Sequence, residues 1–407
     1  MRRAFARCTA AVATQSRACV ATPCTKLLDD EKMLVENVRE FAQKVIKPKV
    51  LEMDEKQQMD PAIIQQCFEN GLMGIEVPEK HQGTGMSFFG ACLAIEELAK
   101  VDGAVSVMVD VQNTLVNNIF FNFANEDQRA KYLPMLARDT MGCFCLTEPG
   151  SGSDAFALKT RAEKKGDDYV INGSKIYITN AGEANLFLVM ANVDPSKGYK
   201  GITCFVVDKR VHKGVKIGRK ENKMGIRASS TCEVIFEDVV VPKENIILAE
   251  GRGYKIAIEA LNEGRIGIGA QMVGIAQGAL DTAMPYLFER KQFGQYIGDF
   301  QGMQFQYAQA SMDIHAARLM VYNAGRKKMA GEPFVEDAAM AKLYASQVAE
   351  RTASKAIEWM GGNGFVKEYA VEKFYRDAKI GAIYEGTTNI QLHTLAKFVK
   401  DRYASKQ

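Results

Sequence analysis

The sequence lacks the residue spacings with which proteins commonly hold metals or form disulfides. None of its nine cysteines belongs to a C-x-x-C pair, and three of them fall within residues 1–28. The four histidines are scattered, and none stands in an H-E-x-x-H pattern. These absences argue against a zinc site, a disulfide framework and metal-dependent chemistry. We therefore expect the cysteines to be small buried hydrophobic residues.

The chain also lacks long apolar runs and a strong net charge. A membrane span needs about 18 consecutive apolar residues, and no stretch approaches that length. The formal net charge of +3 is carried by the N-terminus: residues 1–28 hold four arginines, one lysine and no acid, so subtracting these five charges leaves −2. The lack of a long apolar run argues against a membrane span, and the nearly neutral body offers no electrostatic basis for nucleic-acid binding.

The N-terminal residues differ in kind from the rest. They combine arginine with many alanine, threonine and serine residues, and the first acid is Asp29. Such a segment can form a basic amphipathic helix but has no compact apolar stretch of the secretory type. We interpret residues 1–26 as a mitochondrial presequence, which predicts a location in the mitochondrial matrix.

Hydrophobic periodicity divides the remaining chain into three parts. Apolar residues recur at intervals of three and four from about residue 29 to 136, as in Leu34, Val38 and Phe41, which is typical of helices. Short β-rich runs with glycine and proline between them occupy about 143–248. The helical period then returns from Gly253 onward. This pattern predicts an α+β multidomain fold, with a helical domain over 27–142, a β-sandwich or barrel over 143–250 and a helical domain over 251–407.

Individual elements can be predicted within these domains. The β-rich runs 169–171 and 175–179 flank Asn172-Gly173, which favours a hairpin with a type I′ turn. Further strands are expected at 186–193, 202–207 and 234–241, and the absence of βαβ alternation argues against a parallel sheet. In the last domain we expect a long helix ended or kinked by Pro285, two more over 305–329 and 334–359, and a short one over 390–398.

One glycine-rich motif resembles the phosphate-binding loop of dinucleotide-binding proteins. Residues 150–155, GSGSDA, satisfy the dinucleotide fingerprint G-x-G-x-x-A. The residues that follow are too few and too charged for the crossover helix that this motif requires, so a Rossmann nicotinamide site is rejected. The glycines and hydroxyls of this loop can still grip a phosphate or a polar cofactor edge.

A second motif places one carboxylate on a short connection in the helical C-terminal region. Glu385 stands in IYEGTTN (383–389), about twenty residues after the glycine cluster GGNG (361–364). A base that faces a flat cofactor needs such a position rather than a solvated helix face. Alone, the heptapeptide favours an ordinary turn glutamate over a catalytic one.

Three longer motifs together resemble the signatures of acyl-CoA dehydrogenases. They are CLTEPGSGSD (145–154), EWMGGNGF (358–365) running on to Arg376-Asp377, and YEGT (384–387). The likeness covers about residues 30–400 in the same order and spacing. Within the family, ENKMGIRASST (221–231), LNEGR (261–265) and FQG (300–302) most resemble the mitochondrial short/branched-chain enzymes.

The resemblance implies a fold, a cofactor and a reaction. It implies a C-terminal four-helix bundle, bound FAD, a homotetramer, and α,β-dehydrogenation of an acyl-CoA to the trans-2-enoyl-CoA with electrons passing to electron-transfer flavoprotein. Glu385 would abstract the α-proton while hydride passes to flavin N5, and the Glu385 amide would donate to the thioester oxygen as in an oxyanion hole. Burial beside the flavin would raise the pKa of Glu385 and improve it as a base.

The resemblance also assigns the binding residues. Those implied at the cofactor are Phe144, Cys145, Leu146, Thr147, Glu148, Pro149, Gly150, Ser151, Gly152, Ser153, Tyr177, Ile178, Thr179, Arg290, Gln301, Glu358, Trp359, Met360, Gly361, Gly362, Thr387, Thr388 and Asn389. The stretch from Glu358 to Gly362 is expected to reach FAD from a neighbouring subunit. Those implied at acyl-CoA are Ser153, Tyr254, Asn262, Glu263, Gly264, Arg265 and Gly386.

One departure bears on the base. Some family members carry it directly before the arginine that is Arg265 here, but this chain has Gly264 at that position and Glu263 one step earlier. One residue along a helix turns a side chain by about 100°, so Glu263 is expected to point away and Glu385 to act.

Several alternatives remain open at this stage. A straight short-chain enzyme acting on butyryl- or propionyl-CoA competes with one acting on 2-methylbutyryl- or isobutyryl-CoA, since one methylene changes binding by only about 1–3 kcal/mol. The pathway would accordingly be isoleucine or short-chain fatty-acid breakdown. An oxidase-type flavoenzyme and a non-catalytic binding protein are the other candidates.

Overall fold

The computed structural model describes residues 23–404. Most of the predicted presequence, residues 1–22, lies outside the described residues. Within the described part, helices, then strands, then helices follow one another along the chain, as the periodicity predicts. No helix in this part combines the length and the apolar character that crossing a bilayer requires.

The first domain is helical. Its helices are α1 (Asp29–Phe41), α2 (Val50–Lys56), α3 (Pro61–Glu69), α4 (Phe88–Ala99), α5 (Gly103–Asp110), α6 (Asn118–Phe123) and α7 (Glu126–Arg138). A π-helical segment, Val111–Asn117, joins α5 to α6. Every residue of α4 is buried because this helix lies between the N-terminal and C-terminal helices, and its apolar composition all round suits that position.

The middle domain is built on a curled seven-stranded sheet. The strands are β1 (Gly142–Cys145), β2 (Arg161–Lys165), β3 (Asp168–Thr179), β4 (Leu186–Asn192), β5 (Ile202–Asp208), β6 (Val215–Lys220) and β7 (Thr231–Pro242). Their order is β1-β4-β2-β3-β7-β6, and β5 pairs with β4. The expectation of no parallel sheet is wrong in part: β1 runs parallel to β4, and β2 also meets β4 in parallel, where Arg161 faces Asn192. Residues 146–185 separate β1 from β4 and contain β2 and β3 rather than a crossover helix, so the pair is not a βαβ unit.

The hairpin predicted at Asn172-Gly173 is also wrong. Both residues lie inside β3, where the register with β7 shifts between Ile171 and Gly173 as in a β-bulge. The Asn172 side chain bonds to Asp238 across the bulge instead of closing a turn. The true turn is at Gly166 and the following residue, where Gly166 has φ +66 and connects β2 to β3.

The C-terminal domain contains four long helices. They are α8 (Gly253–Leu287), α9 (Gln301–Met329), α10 (Val335–Met360) and α13 (Thr388–Ala404), with the short helices α11 (Gly362–Phe365) and α12 (Val371–Ala378) between the last two. A small ladder of β8 (Lys291–Gln292) and β9 (Gln295–Tyr296) joins α8 to α9. Pro285 lies in the last turn of α8, as predicted, whereas α13 is longer than expected.

A buried charge cluster joins the three domains. Lys373 of α12 donates to Asp377 at 2.6 Å and to Asp102, at the start of α5, at 3.3 Å. Asp377 also accepts the backbone N–H of Ile226, in the middle domain, at 2.6 Å. All three charged side chains are at most 4% exposed. Such a cluster fixes the relative placement of the domains because each charge depends on the others for its partners.

Candidate active site

Glu385 lies on a strained segment between α12 and α13. Its φ is +52, in the left-handed region that non-glycine residues rarely adopt, and Gly386 follows at φ +88. Strain of this kind persists only where the surroundings hold it, and it concentrates at functional sites. The Glu385 Oε2 atom is shielded from solvent and has no hydrogen-bond partner among the described residues.

Side chains from three helices hold the segment, through its backbone carbonyls and through Tyr384. Lys342 of α10 donates to the carbonyl oxygens of Gly381 at 2.6 Å and Gly386 at 2.7 Å. Gln391 of α13 donates to the carbonyl oxygens of Glu385 at 3.0 Å and Gly386 at 2.9 Å. Tyr384 hydrogen-bonds to Gln271 of α8. The direction of the Glu385 side chain is thereby set by α8, α10 and α13 together.

The sequence-based assignment missed these holding residues. Lys342 alone carried a usable signal, because it stands among Ala338, Ala341 and Ala345 on the buried face of α10, where a lysine is out of place. Gln271 and Gln391 are polar residues of a kind that occurs everywhere on helices. Only the fold brings them to the segment.

Burial dominates the electrostatics of Glu385. It raises the pKa of this carboxyl to about 7, while the nearby cations Arg265 and Lys342 act in the opposite direction. Asp110, at the end of α5, is a second buried acid; burial raises its pKa well above the usual range, and the Glu385 charge raises it further. The site thus holds one carboxyl that can exchange a proton near neutral pH and a second buried carboxyl whose pKa is shifted in the same direction.

Gly264 of α8 faces the Glu385 carboxylate. A Cβ at Gly264 would lie 3.0 Å from Oε2 of Glu385 and 3.0 Å from Cδ2 of Leu115. Glu263 points elsewhere: its carboxylate hydrogen-bonds to Asn118 and lies 3.3 Å from Nζ of Lys328. The one-residue offset on the helix therefore separates these two glutamates, as the helical geometry predicts.

The loop after β1 is fastened by its own glutamate. Glu148 accepts from Oγ1 of Thr160 at 2.6 Å and from Nζ of the fully buried Lys175 at 2.7 Å. With its oxygens occupied in this way, Glu148 holds the loop in shape. Cys145 and Leu146 are buried, whereas the remaining residues of the loop differ in exposure; those on its outer side are Pro149, Gly150, Gly152 and Ser153.

Tyr177 presents an exposed aromatic surface on β3. It is 62% exposed and has φ +57, at a second register shift between β3 and β7. Ile176, next to it, donates its N–H to the carbonyl oxygen of Thr147 at 2.9 Å, so Tyr177 and the loop after β1 are neighbours. Ile178 is buried and Thr179 half-buried. The loop and the strand together form a surface with hydroxyls, glycines and one aromatic ring.

The residues assigned to acyl-CoA fall into two places. Tyr254, in the first turn of α8, packs against Phe156 with ring centroids 4.4 Å apart, and Phe156 follows Ser153 closely on the same loop. Asn262 accepts from Nη1 of Arg265 at 2.8 Å, two turns further along α8. The Nε of Arg265 is buried and has no partner in the described part of the chain. Gly386 follows Glu385 directly.

The other assigned cofactor residues fall into two groups, one at the far ends of α8 and α10 and one directly after Glu385. Arg290 and Gln301 are exposed at the connection between α8 and α9, and Trp359 is buried and donates to Gln306 of α9 at 3.1 Å. Glu358 pairs with Lys355 at 2.6 Å, Met360 is buried, and no neighbouring atom would meet a Cβ at Gly361 or Gly362. Thr387 accepts the N–H of Ile390 at 3.3 Å at the start of α13, where Thr388 and Asn389 follow. The α8–α9 connection and the end of α10 thus form a surface separate from the one around Glu385.

The site leaves polar groups unpaired, which suits a bound ligand such as the thioester that the resemblance implies. Oε2 of Glu385 and Nε of Arg265 are buried polar atoms without partners in the described residues, which in folded proteins calls for a ligand or a catalytic role. Beside them, the Glu385 N–H has no acceptor within the described part of the chain. A donor and an acceptor on one residue are thus both left free.

Comparison with known proteins identifies the family. The acyl-CoA dehydrogenase N-terminal, middle and C-terminal domains match residues 28–140, 143–239 and 251–400. The chain is 55% identical over 390 residues to the short/branched chain specific acyl-CoA dehydrogenase, mitochondrial, of Rattus norvegicus, covering 96% of this chain and 90% of that protein.

Two solved structures are similar throughout. The structure of butyryl-CoA dehydrogenase from Megasphaera elsdenii matches with a TM-score of 0.90 and 41% identity, covering 92% of this chain and 99% of that one. A glutaryl-CoA dehydrogenase from Mycobacterium smegmatis in complex with FADH2 matches with a TM-score of 0.87 and 28% identity, over 92% and 95%. The expected fold, with helical domains on either side of a β domain, is confirmed. The chain belongs to the acyl-CoA dehydrogenase family of flavin-dependent oxidoreductases.

Proposed function

We propose that this chain uses FAD to dehydrogenate a short or branched-chain acyl-CoA to the trans-2-enoyl-CoA, with Glu385 as the base that removes the α-proton. The observation that carries this proposal is the Glu385 carboxylate, which is shielded, partnerless on Oε2 and raised in pKa to about 7. A carboxylate of ordinary pKa in water is too weak a base for the α-C–H of a thioester. Burial raises the pKa of the Glu385 carboxyl and so makes its carboxylate a stronger base, and Oε2, which has no partner in the described residues, is free to accept the proton.

The residues around Glu385 divide the remaining tasks. The free N–H of Glu385 is suited to donate to the thioester oxygen, on which negative charge grows as the proton leaves. The hold of Lys342, Gln391 and Gln271 on the segment keeps that N–H and the carboxylate in a fixed relation. FAD, when bound, supplies the two-electron acceptor for the β-hydrogen. The protein thus positions the substrate and holds the proton.

We assign cofactor binding to two surfaces. The loop after β1, with Thr147 and Ser153, and the aromatic face of Tyr177 suit a flat ring system with polar edges. The exposed Arg290 and the open glycines Gly361 and Gly362 suit a phosphate-bearing group. Since this second surface lies apart from Glu385 within one chain, a neighbouring copy is the natural source of those contacts.

An apolar face on α9 supports the homo-oligomer that this requires. Phe305 is 65% exposed, Met312 59% and Leu319 36%, and they are spaced at intervals of seven residues along one side of the helix. A stripe of large apolar side chains on a 29-residue helix favours burial against another copy. The resemblance to the family favours a tetramer.

We place the enzyme in the mitochondrial matrix, with electron-transfer flavoprotein as its acceptor. The basic, acid-free N-terminus and the mitochondrial rat relative support the location. The resemblance to the family favours electron-transfer flavoprotein as the electron acceptor. An oxidase of the same fold would pass electrons to oxygen, so turnover with oxygen against turnover with electron-transfer flavoprotein separates the two. A non-catalytic binding protein has no use for a strained, partnerless glutamate.

The pH dependence of kcat/KM tests the state of Glu385. With the pKa at about 7, the free enzyme should hold an active, ionised base above this pH and a protonated, inactive one below it. We therefore expect kcat/KM to fall about tenfold per pH unit on the acidic side of pH 7. A profile that is level down to pH 5 would contradict the assignment. The measurement is the initial rate at low acyl-CoA concentration, over pH 5 to 9.

The acyl preference is tested by a panel of thioesters. The 55% identity to a short/branched chain enzyme predicts a higher kcat/KM for 2-methylbutyryl-CoA and isobutyryl-CoA than for butyryl- and propionyl-CoA. The difference should be about tenfold or more, because a methyl group that fills a pocket changes binding by about 1–3 kcal/mol. A preference for butyryl-CoA would favour the straight-chain alternative and leave the role of Glu385 intact.

A further inference from the structure

Lys342 is a buried cation without a carboxylate partner. It is 1% exposed on α10, between neighbours that are mainly alanines, and it takes part in no salt bridge within residues 23–404. Its ammonium group bonds instead to two carbonyl oxygens, those of Gly381 and Gly386. A buried charge is costly when its only partners are neutral, so the fold must compensate for it elsewhere.

The two carbonyls mark the ends of the segment that carries Glu385. Ser346, one turn along α10, donates to the Gly381 oxygen at 3.0 Å and reaches nothing at the other end. Gln391 donates to the Gly386 oxygen and reaches nothing at the first end. Among the described side chains that bond to these two carbonyls, Lys342 links both ends.

The charges that face Glu385 come from three helices. Arg265 approaches from α8 and Lys342 from α10, and both cations favour the ionised carboxylate. Asp110, at the end of α5, is a second acid whose charge interacts with that of Glu385. Tyr384, on the segment itself, is half-buried and bonds to Gln271, and the loss of solvent around its hydroxyl raises the pKa of that group. Arg265 shares its guanidinium with Asn262, whereas Glu385 is the anion that acts on Lys342.

We propose that Lys342 is a positioning residue for Glu385: it clasps the segment 381–386 at both ends and supplies a positive charge that keeps the base ionised. This inference rests on the proposed role of Glu385 as the base. The burial that lowers the pKa of Lys342 to about 8 still leaves it charged at neutral pH. Because its ammonium group is bonded to the Gly381 and Gly386 carbonyl oxygens, Lys342 acts on the reaction through Glu385 and not by touching the substrate.

The test replaces the cation and compares two variants of the flavin-loaded enzyme. Lys342→Met removes the charge and both hydrogen bonds, whereas Ser346→Ala removes a hydrogen bond to the same Gly381 oxygen without changing a charge. We expect the acidic limb of kcat/KM against pH to move upward by about 1 unit in Lys342→Met. The limb should stay in place in Ser346→Ala. Flavin absorbance and Tm report whether each variant is folded.

Two further variants keep the inference testable if Lys342→Met does not fold. Lys342→Gln is neutral and can still donate, so it should shift the limb upward; Lys342→Arg keeps the charge and should leave the limb near that of the original enzyme. Equal limbs in the neutral variants and the original enzyme would overturn the inference. A functional Glu385→Gln variant would instead overturn the proposed function, so the two failures are distinguishable.

Discussion

Glu385→Gln is expected to lower kcat by a factor of about 10³–10⁴ or more while the protein stays folded and retains its flavin. Glutamine keeps the size and most of the packing of glutamate but cannot accept the α-proton. The strained backbone and its bonds from Lys342 and Gln391 involve main-chain carbonyls, so they do not depend on the carboxylate. The loss corresponds to about 4–5 kcal/mol of transition-state stabilisation.

The matched control is Glu263→Gln. This glutamate is also buried, lies on α8 beside Gly264, and contacts Asn118 and Lys328 away from Glu385. Burial raises its pKa as well, so a raised pKa by itself does not distinguish the two residues. We expect Glu263→Gln to keep turnover within about tenfold. Rates should be measured by flavin reduction under anaerobic conditions. Loss of activity in Glu263→Gln with near-normal Glu385→Gln would reverse the assignment.

Lys373→Met is expected to cause the largest loss of stability. The substitution leaves the carboxylates of Asp102 and Asp377, at 0% and 1% side-chain exposure, without their shared cation. Breaking a buried ion pair from one side costs about 3–5 kcal/mol because an uncompensated charge remains. The cluster joins all three domains through Asp102, Ile226 and Lys373, so we expect unfolding at a lower denaturant concentration across the whole molecule.

Lys379→Met provides the comparison. Lys379 pairs with Glu350 at 2.7 Å close to Lys373 in the chain, but the two side chains are 45% and 34% exposed. Exposed pairs contribute about 0–1 kcal/mol, so this variant should unfold close to the original protein. Urea titration of both holoenzymes, followed by flavin and tryptophan fluorescence, measures the difference. Equal midpoints for the two variants would show that the junction does not depend on Lys373.

Most helices and strands could be predicted because local periodicity reports which face of an element is buried. The runs at 186–193, 202–207 and 234–241 match β4, β5 and most of β7. The hairpin at Asn172-Gly173 was wrong because the same two residues suit a tight turn and a β-bulge alike. What decides between them is the partner strand: β7 continues past Asn172, and Asp238 bonds to its side chain. Pairing with a strand about sixty residues away leaves no local signature.

The motif identified the candidate base from the sequence, but the residues that surround this base could not be predicted in the same way. Short motifs around Glu385 and the loop after β1 carry local geometry, since glycine, proline and hydroxyl residues restrict a few neighbouring peptides. The assigned cofactor and substrate residues remain predictions for the same reason: a motif indicates a role but not a contact. Lys342, Gln391 and Gln271 escaped because each acts on a backbone carbonyl or a side chain that folding alone brings near.

The sequence by itself determined the succession of helical, β and helical domains, the membership of a flavoenzyme family and the glutamate that serves as candidate base. Only the tertiary structure decided that the Oε2 atom of this glutamate is shielded and without a partner in the described residues, and that the pKa of its carboxyl is raised. The physical reason is that periodicity and motifs are properties of neighbouring residues, whereas desolvation and charge depend on every group within a few ångströms, and α5, α8 and α10 bring those groups from distant parts of the chain.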